Sequence, residues 1–291
     1  MSAQTTPTRL PRRSYWLAAW FTFGAVVLGS AVCATESGLA CPTWPGCFPD
    51  QATPDGLNSA IEFTHRVIAF GSLVCLALAG WRGRRLTDPR LRWFPVVALV
   101  LAIASGAFGM VIVLFSLPML LGLIDVAAAL IALCLITWAA VRLREPRPLT
   151  GLSRWAWRTV AVVIVMHLLG IAVAGPGSFV RCLGWPVWRI VEADQYPVLQ
   201  WLRLGVGGLA VAGVVGVLVL AWRRPALRRL AAGLAAAWLT ELVMGQLIVD
   251  QFTGAAERHI YLAAAYSMLA GAVVWLLALL ASRASDQAEG R

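Results

Sequence analysis

The chain has 291 residues, of which 60% are hydrophobic and only 13% are charged, and its mean hydropathy is +0.77. About a quarter of the residues of a soluble domain are charged, so this composition excludes a soluble protein. The net charge of +10 does not indicate nucleic-acid binding, because the arginines are spread over the junctions between apolar stretches. We therefore expect no nucleic-acid partner.

Eight apolar stretches follow one another along the chain with little sequence between them. They lie at about residues 15–35, 60–81, 93–115, 117–141, 157–174, 198–222, 229–250 and 259–282. Each has close to the roughly 20 residues that a membrane-spanning helix requires. The first is too long for the apolar region of a signal peptide, and no small-residue cleavage site follows it. We predict an all-α membrane protein with eight transmembrane helices, the first of them retained.

The distribution of arginine predicts how these helices are oriented. Arginines cluster at every second junction, around residues 9–13, 82–92, 142–158 and 223–229 and at Arg283. The connections at 36–59 and 175–197 carry few or none. Basic residues favour the cytoplasmic side of a membrane. The pattern predicts a multi-pass protein of the inner or plasma membrane with both termini in the cytoplasm, in contact with anionic lipid.

The two halves of the chain resemble each other, which indicates a duplicated four-helix unit. The segment GSAVCATESGLACPTWPGC at 29–47 is similar to GIAVAGPGSFVRCLGWPVW at 170–188. We therefore divide the chain into two tandem four-helix bundles, residues 1–146 and 147–291. Because each unit has an even number of helices, a pseudo-twofold axis along the membrane normal would relate them. Further along the two halves, the same comparison pairs His65 with Leu202.

Ionisable side chains inside a membrane span are costly unless they are paired, so each is a functional candidate. At a rise of about 1.5 Å per residue, the predicted topology places the candidates within roughly 15 Å of the outer surface. They are Glu62, His65, Asp125, His167, Glu241 and His259. Glu62 and His65 share a helix face, and such a pair suits haem or metal ligation, acid-base chemistry or a structural hydrogen bond.

The other candidates have plain structural interpretations. An interhelical hydrogen bond is the main expectation for His167, and His259 lies at the membrane boundary. Asp125 and Glu241 would each pair with a neighbouring helix. No nucleotide-binding, haem-attachment or zinc-protease motif occurs in the sequence.

The six cysteines fall into two groups. Those within apolar stretches are expected to be small buried hydrophobic residues; they are Cys33, Cys75 and Cys134. Those in or beside outward connections face a compartment that permits disulfides; they are Cys41, Cys47 and Cys182. The proline-constrained CPTWPGC turn is expected to bring Cys41 and Cys47 together, either as a structural staple or as a redox pair.

The motifs SGLACPTWPGCFPD at 37–50 and IEFTHR at 61–66 resemble those of the haem A synthase family of membrane oxidases. DQFTGAAE at 250–257 is similar to the actinobacterial-type members. The resemblance implies eight helices in two halves and oxidation of the C8 methyl of haem O to the formyl of haem A. It also implies haem B or haem O as the bound haem. Haem O synthase, cytochrome oxidase assembly factors and a second copy of the chain are the partners expected on this basis.

The resemblance also assigns roles to individual residues. His65 matches a ligand to haem iron, Glu62 the catalytic carboxylate, and Cys41 and Cys47 the outer cysteine pair. The other three ligand positions carry Asp125, Leu202 and Ala263 instead of histidine. His259 lies one helical turn before Ala263 and would approach the same face, whereas His167 is outside the ligand pattern.

Two functions remain open at this point. The first is a divergent haem-modifying oxidoreductase that uses Glu62 and His65, with Asp125 as an alternative sixth ligand. The second is an altered paralogue that binds haem or assists oxidase assembly, or that exchanges thiols through Cys41 and Cys47. A transporter is a distant third, since no broken-helix pattern occurs.

Overall fold

The fold is known from a computed structural model, which describes residues 9–50, 53–115, 120–143, 150–173, 182–186, 197–250 and 256–284. At 9–10, 112–114, 120–121, 249–250 and 256–259 it describes the backbone alone. Within these ranges the protein is helical and has no strand.

Eight long helices confirm the predicted all-α membrane architecture. They are α1 (Arg9–Ala34), α2 (Leu57–Gly83), α3 (Pro89–Phe115), α4 (Leu120–Arg142), α5 (Gly151–Val173), α6 (Pro197–Trp222), α7 (Arg228–Asp250) and α8 (Ala256–Arg283). Each is long and apolar enough to cross a membrane. Several extend beyond the predicted stretch into arginine-bearing turns, because arginine forms helices well and its long side chain reaches the membrane interface.

The helices pack as two groups of four that share a central contact. In the first group α1 and α3 each contact α2 and α4, and in the second α5 and α7 each contact α6 and α8. Between the groups, α8 packs against α1 and α4, and α4 packs against α5. The span in α8 is the most buried and that in α3 the least. Alanines on α8 permit its close approach to neighbouring helices. The main apolar core therefore surrounds α8, against which residues of α4, α5, α6 and α7 pack.

Tyr15 joins α1 to the first turn of α3. Its side chain is fully buried, and its hydroxyl donates a hydrogen bond of 2.6 Å to the carbonyl oxygen of Leu91. Gly83 makes room for the ring, since a Cβ there would clash with the tyrosine hydroxyl. A polar group buried in a membrane must find a partner within the protein, and Tyr15 finds one at this end of the bundle.

Two disulfides lie at the opposite end, and one of them corrects the sequence prediction. Cys33 was expected to be a buried hydrophobic residue, but it bonds to Cys182 across 149 residues with an S–S distance of 2.05 Å. It lies in the last turn of α1, where that helix meets the short described segment at 182–186. Cys41 and Cys47 form the second disulfide, as the CPTWPGC turn predicted. Cys75 and Cys134 are free thiols.

The disulfide pattern predicts how many thiols a maleimide will label. Denatured but unreduced protein should react at two cysteines and fully reduced protein at all six. Cys33→Ser should raise the unreduced count to three, because Cys182 loses its partner. Mass spectrometry of the labelled protein measures each count. Four reactive thiols in the unreduced wild type, with the two additional labels mapped to Cys33 and Cys182, would show that this pair is not bonded.

Candidate functional site

Arg66 ties helix α2 to the loop that carries the Cys41–Cys47 disulfide. Its Nε donates to Glu62 Oε1 at 2.8 Å. Nη1 donates to the carbonyl oxygens of Thr43 and Gly46 at 2.5 and 2.8 Å, and Nη2 donates to that of Cys41 at 3.3 Å. One guanidinium therefore caps three backbone carbonyls of the loop and pairs with the nearby carboxylate. We call this group of contacts the Arg66 clamp.

Glu62 is held by this clamp in a buried position. Its exposed fraction is only 6%, and its salt bridge with Arg66 is the (i, i+4) pair of neighbours on one helix face. A carboxylate removed from water needs an opposite charge and hydrogen bonds to remain there. Arg66 supplies both, so Glu62 is fixed in place near the N-terminal end of α2.

His65 lies against helix α1. The Cβ of an alanine at Gly29 would come within 3.1 Å of the His65 Cε1, so the glycine lets the imidazole pack close to the α1 backbone. The ring also lies close enough to the backbone of Ala25 for a hydrogen-bond interaction. Its buried Nδ1 nevertheless makes no hydrogen bond of normal geometry within the described part of the chain. A buried imidazole nitrogen without a partner is available to bind a metal.

The residues at the other expected ligand positions are not suited to bind iron. Asp125 accepts a hydrogen bond from the hydroxyl of Ser105 on α3, so the carboxylate is already engaged between α3 and α4. Leu202 is 51% exposed and lies on the outer surface of α6. Ala263 is buried but has no ligating atom. His259 lies in the first turn of α8, and its side chain is outside the described residues. Of the residues at the expected ligand positions whose side chains are described, only His65 offers a nitrogen that could bind iron.

A second polar cluster lies in the second group of helices. It contains His167 on α5, Arg203 on α6, Glu241 on α7 and Tyr266 on α8, all buried. His167 was expected to bond to another helix, but its Nδ1 instead accepts a hydrogen bond of 3.3 Å from the backbone N–H of Gly184 in the loop. His167 and Arg203 lie within electrostatic reach of each other, as do Tyr266 and both Arg203 and Glu241.

Trp185 lies over this second cluster. The Tyr266 hydroxyl donates to the Trp185 carbonyl oxygen at 2.6 Å. Glu241 lies beside the backbone and indole nitrogens of Trp185, but neither of its carboxyl oxygens makes a hydrogen bond of normal geometry within the described residues. Glu241 is therefore close to Trp185 without a hydrogen bond of normal geometry to it.

Sequence reasoning missed the two arginines of these clusters. Arg66 and Arg203 both lie within apolar spans, yet only acids and histidines were singled out as candidates. A basic residue inside a span is as costly as an acidic one, and Arg66 follows Glu62 by one helical turn. Both facts are visible in the sequence and are sufficient to identify these arginines as candidate functional residues.

Fold and site together define a multi-pass membrane protein whose ionisable side chains gather at the end of the bundle that carries both disulfides. No family model matches the sequence, and no curated protein matches it. The function must therefore be argued from the residues of the site.

The Arg66 clamp predicts that Arg66 protects the neighbouring disulfide from reduction. Arg66→Gln removes the donors to three loop carbonyls and leaves Glu62 without its ion pair; breaking such a buried pair costs about 3–5 kcal/mol. We expect dithiothreitol to reduce Cys41–Cys47 at least about tenfold faster, since loosening the loop by a comparable free energy exposes the sulfurs. Timed maleimide trapping followed by peptide mass spectrometry gives the rate.

Two variants serve as references for this measurement. Arg66→Lys should give an intermediate rate, because an ammonium can hold Glu62 but cannot span three carbonyls with a planar fork. Arg85→Gln removes an exposed arginine beyond the other end of α2 and should leave the rate unchanged. Equal reduction rates in wild type and Arg66→Gln would refute the clamp.

Proposed function

We propose that the chain is a membrane haem-modifying oxidoreductase of the haem A synthase type, acting on the C8 methyl of haem O. The observation that carries this proposal is the Arg66 clamp. It holds the carboxylate of Glu62 and the Cys41–Cys47 loop together, one residue from His65 with its unpartnered nitrogen. These are the residues to which the family resemblance assigns the carboxylate, the outer cysteine pair and a haem ligand.

His65 is the residue that would hold the haem iron. When bound there, haem supplies the redox chemistry that side chains alone lack. The chain contributes position and charge. Arg66 keeps Glu62 aimed and shields it from water, so that the carboxylate can stabilise positive charge developing at the oxidised carbon or accept its proton. The disulfide loop closes this end of the helices and limits the entry of water.

We also propose that the two groups of four helices are a tandem repeat and that the protein has a fixed orientation in the membrane. The order of helix neighbours is the same in both groups of four, which supports two units related by a pseudo-twofold axis. Their buried faces match equally well with Glu62 opposite Arg203 or with Glu62 opposite Gln200, and less well with Leu202 opposite His65. The arginine distribution supports cytoplasmic termini, and the disulfides support an oxidising compartment at the site.

Asp125 is hydrogen-bonded to Ser105, which favours a second candidate function, a haem-binding role in oxidase assembly. With no iron ligand at 125, 202 or 263, the chain would bind haem through His65 and serve the assembly of a respiratory oxidase without oxidising its substrate. A thiol-exchange role has less support, because Cys41 and Cys47 are almost completely buried and thiol exchange requires an accessible sulfur.

Substitution of Glu62 and His65 tests the proposal. Protein purified from membranes should carry haem, seen in the reduced-minus-oxidised spectrum, and extraction should yield haem O with its hydroxylated or formylated products. Glu62→Gln should keep the haem content and lower product by at least about 100-fold, the usual contribution of an acid-base group. His65→Ala should lower the haem content itself.

Thr64→Ala is the matched control, because Thr64 lies between the two residues and is exposed. It should change neither haem content nor product. Haem B alone, in wild type and variants alike, would support the assembly role and contradict the synthase proposal. Unchanged haem content and spectrum in His65→Ala would refute the assignment of the ligand.

A further inference from the structure

Three segments of the first half bring arginines together at the end of the bundle opposite the disulfides. These segments are the start of α1, the end of α2 and the start of α3. Tyr15 holds them side by side, because its ring lies against Gly83 and its hydroxyl donates to the carbonyl oxygen of Leu91. We call the exposed arginines of the three segments the basic patch; they are Arg12, Arg13, Arg82, Arg84, Arg85, Arg90 and Arg92.

The charge of the basic patch is not neutralised within the described part of the chain. None of its arginines forms an ion pair with a described residue. Asp88 is the one acidic residue in the α2–α3 connection, and its carboxylate accepts a hydrogen bond of 2.8 Å from the backbone N–H of Arg90. Like charges gathered in this way repel each other. A bound anion would therefore stabilise this end of the bundle.

Two exposed tryptophans adjoin the patch, and each has a guanidinium over its ring. The exposed fraction is 64% for Trp81 and 52% for Trp93. The guanidinium carbon of Arg84 lies 3.8 Å from the ring centre of Trp81, and that of Arg92 lies 5.5 Å from the ring centre of Trp93. A guanidinium over an aromatic ring can still donate hydrogen bonds in its own plane, in the fork geometry that suits phosphate.

The position of these groups favours a membrane lipid over a soluble anion. The basic patch lies at the ends of three apolar helices that are long enough to cross a membrane, where lipid headgroups meet the protein. Indole rings are enriched at this interface, since one part of the ring is apolar and the N–H is polar. A soluble anion would contact the arginines alone and leave both indoles exposed. A phosphate ester with acyl chains contacts the arginines and the indoles together.

The α6–α7 turn of the second half has comparable charge without this arrangement. It carries Arg223, Arg228 and Arg229, all exposed, beside the exposed Trp222. The Nε of Arg228 donates to the carbonyl oxygen of Trp222 at 2.9 Å, so part of this guanidinium is used within the turn. No guanidinium of a described residue lies over the Trp222 ring. This turn therefore separates the effect of charge from the effect of the arginine–tryptophan pairs.

We propose that the basic patch is a binding site for an anionic phospholipid. Arg84 and Arg92 donate hydrogen bonds to the phosphate oxygens, and the rings of Trp81 and Trp93 contact the headgroup and the upper part of the acyl chains. The other arginines of the patch attract the lipid by charge. The site is at the opposite end of the bundle from Glu62 and does not depend on the proposed haem function.

The test is the affinity of the full-length protein in detergent for dioleoyl phosphatidylglycerol and for dioleoyl phosphatidylcholine, which have the same acyl chains. Native mass spectrometry of the titrated protein gives both dissociation constants. The wild type should bind phosphatidylglycerol about tenfold or more tightly than phosphatidylcholine, because only the former has a net negative charge. The double variant Arg84→Gln, Arg92→Gln should bind phosphatidylglycerol about tenfold or more weakly, the effect of losing hydrogen bonds from charged donors.

The double variant Arg223→Gln, Arg229→Gln is the matched control. It removes the same charge at two exposed positions of the α6–α7 turn and should bind phosphatidylglycerol like wild type. Trp81→Leu keeps every charge and removes the ring beneath Arg84, so it should weaken phosphatidylglycerol binding by about threefold, the effect of losing a cation–π contact. Circular dichroism confirms that each variant is folded.

Three results would overturn the proposal. Equal losses in the two double variants, with no effect of Trp81→Leu, would show that net charge alone attracts the lipid. A wild type without preference for phosphatidylglycerol would show that the patch does not recognise the anionic headgroup. Glycerol phosphate, titrated in the same way, should bind far more weakly than the lipid; equal affinity would identify a soluble phosphate as the ligand.

Discussion

The lack of water in the membrane interior is the constraint on which this structure depends. Each polar group within a span must find a partner in the protein or in a bound molecule. Tyr15 meets this requirement at the carbonyl of Leu91, and Glu62 meets it through Arg66. In the second half, Arg203 Nε and the carboxyl oxygens of Glu241 make no hydrogen bond of normal geometry within the described residues, although Glu241 lies beside Trp185. The first cluster thus pairs its charges more completely than the second.

The two disulfides and the Arg66 clamp act together at one end of the bundle. Cys33–Cys182 joins the end of α1 to the loop of the second half, and Cys41–Cys47 shapes the loop that Arg66 holds. Both loops are thereby fixed over helices that carry the ionisable residues. Catalysis and binding need groups held in place before the substrate arrives, and these covalent and ionic links provide that rigidity.

The fold is compatible with several functions, and the ligand positions distinguish them. Glu62 and His65 lie beside the clamped loop, as the proposed oxidase function requires, whereas Asp125 is bonded to Ser105 and Leu202 faces outward. The two groups of helices thus carry different polar side chains. The first keeps one imidazole and a clamped carboxylate, and the second holds an arginine, an imidazole and a carboxyl around Tyr266.

The sequence by itself determined the eight helices, because the length and apolarity of each stretch are local properties that dictate a membrane span. It also predicted the Cys41–Cys47 pair, which a short proline-containing turn brings together. Only the tertiary structure decided that Cys33 bonds to Cys182, that Arg66 caps the loop carbonyls, and that Arg203 rather than Leu202 faces the interior. Hydropathy cannot predict these features, since each depends on how a helix is rotated and on a partner that lies far away in the sequence or in a loop.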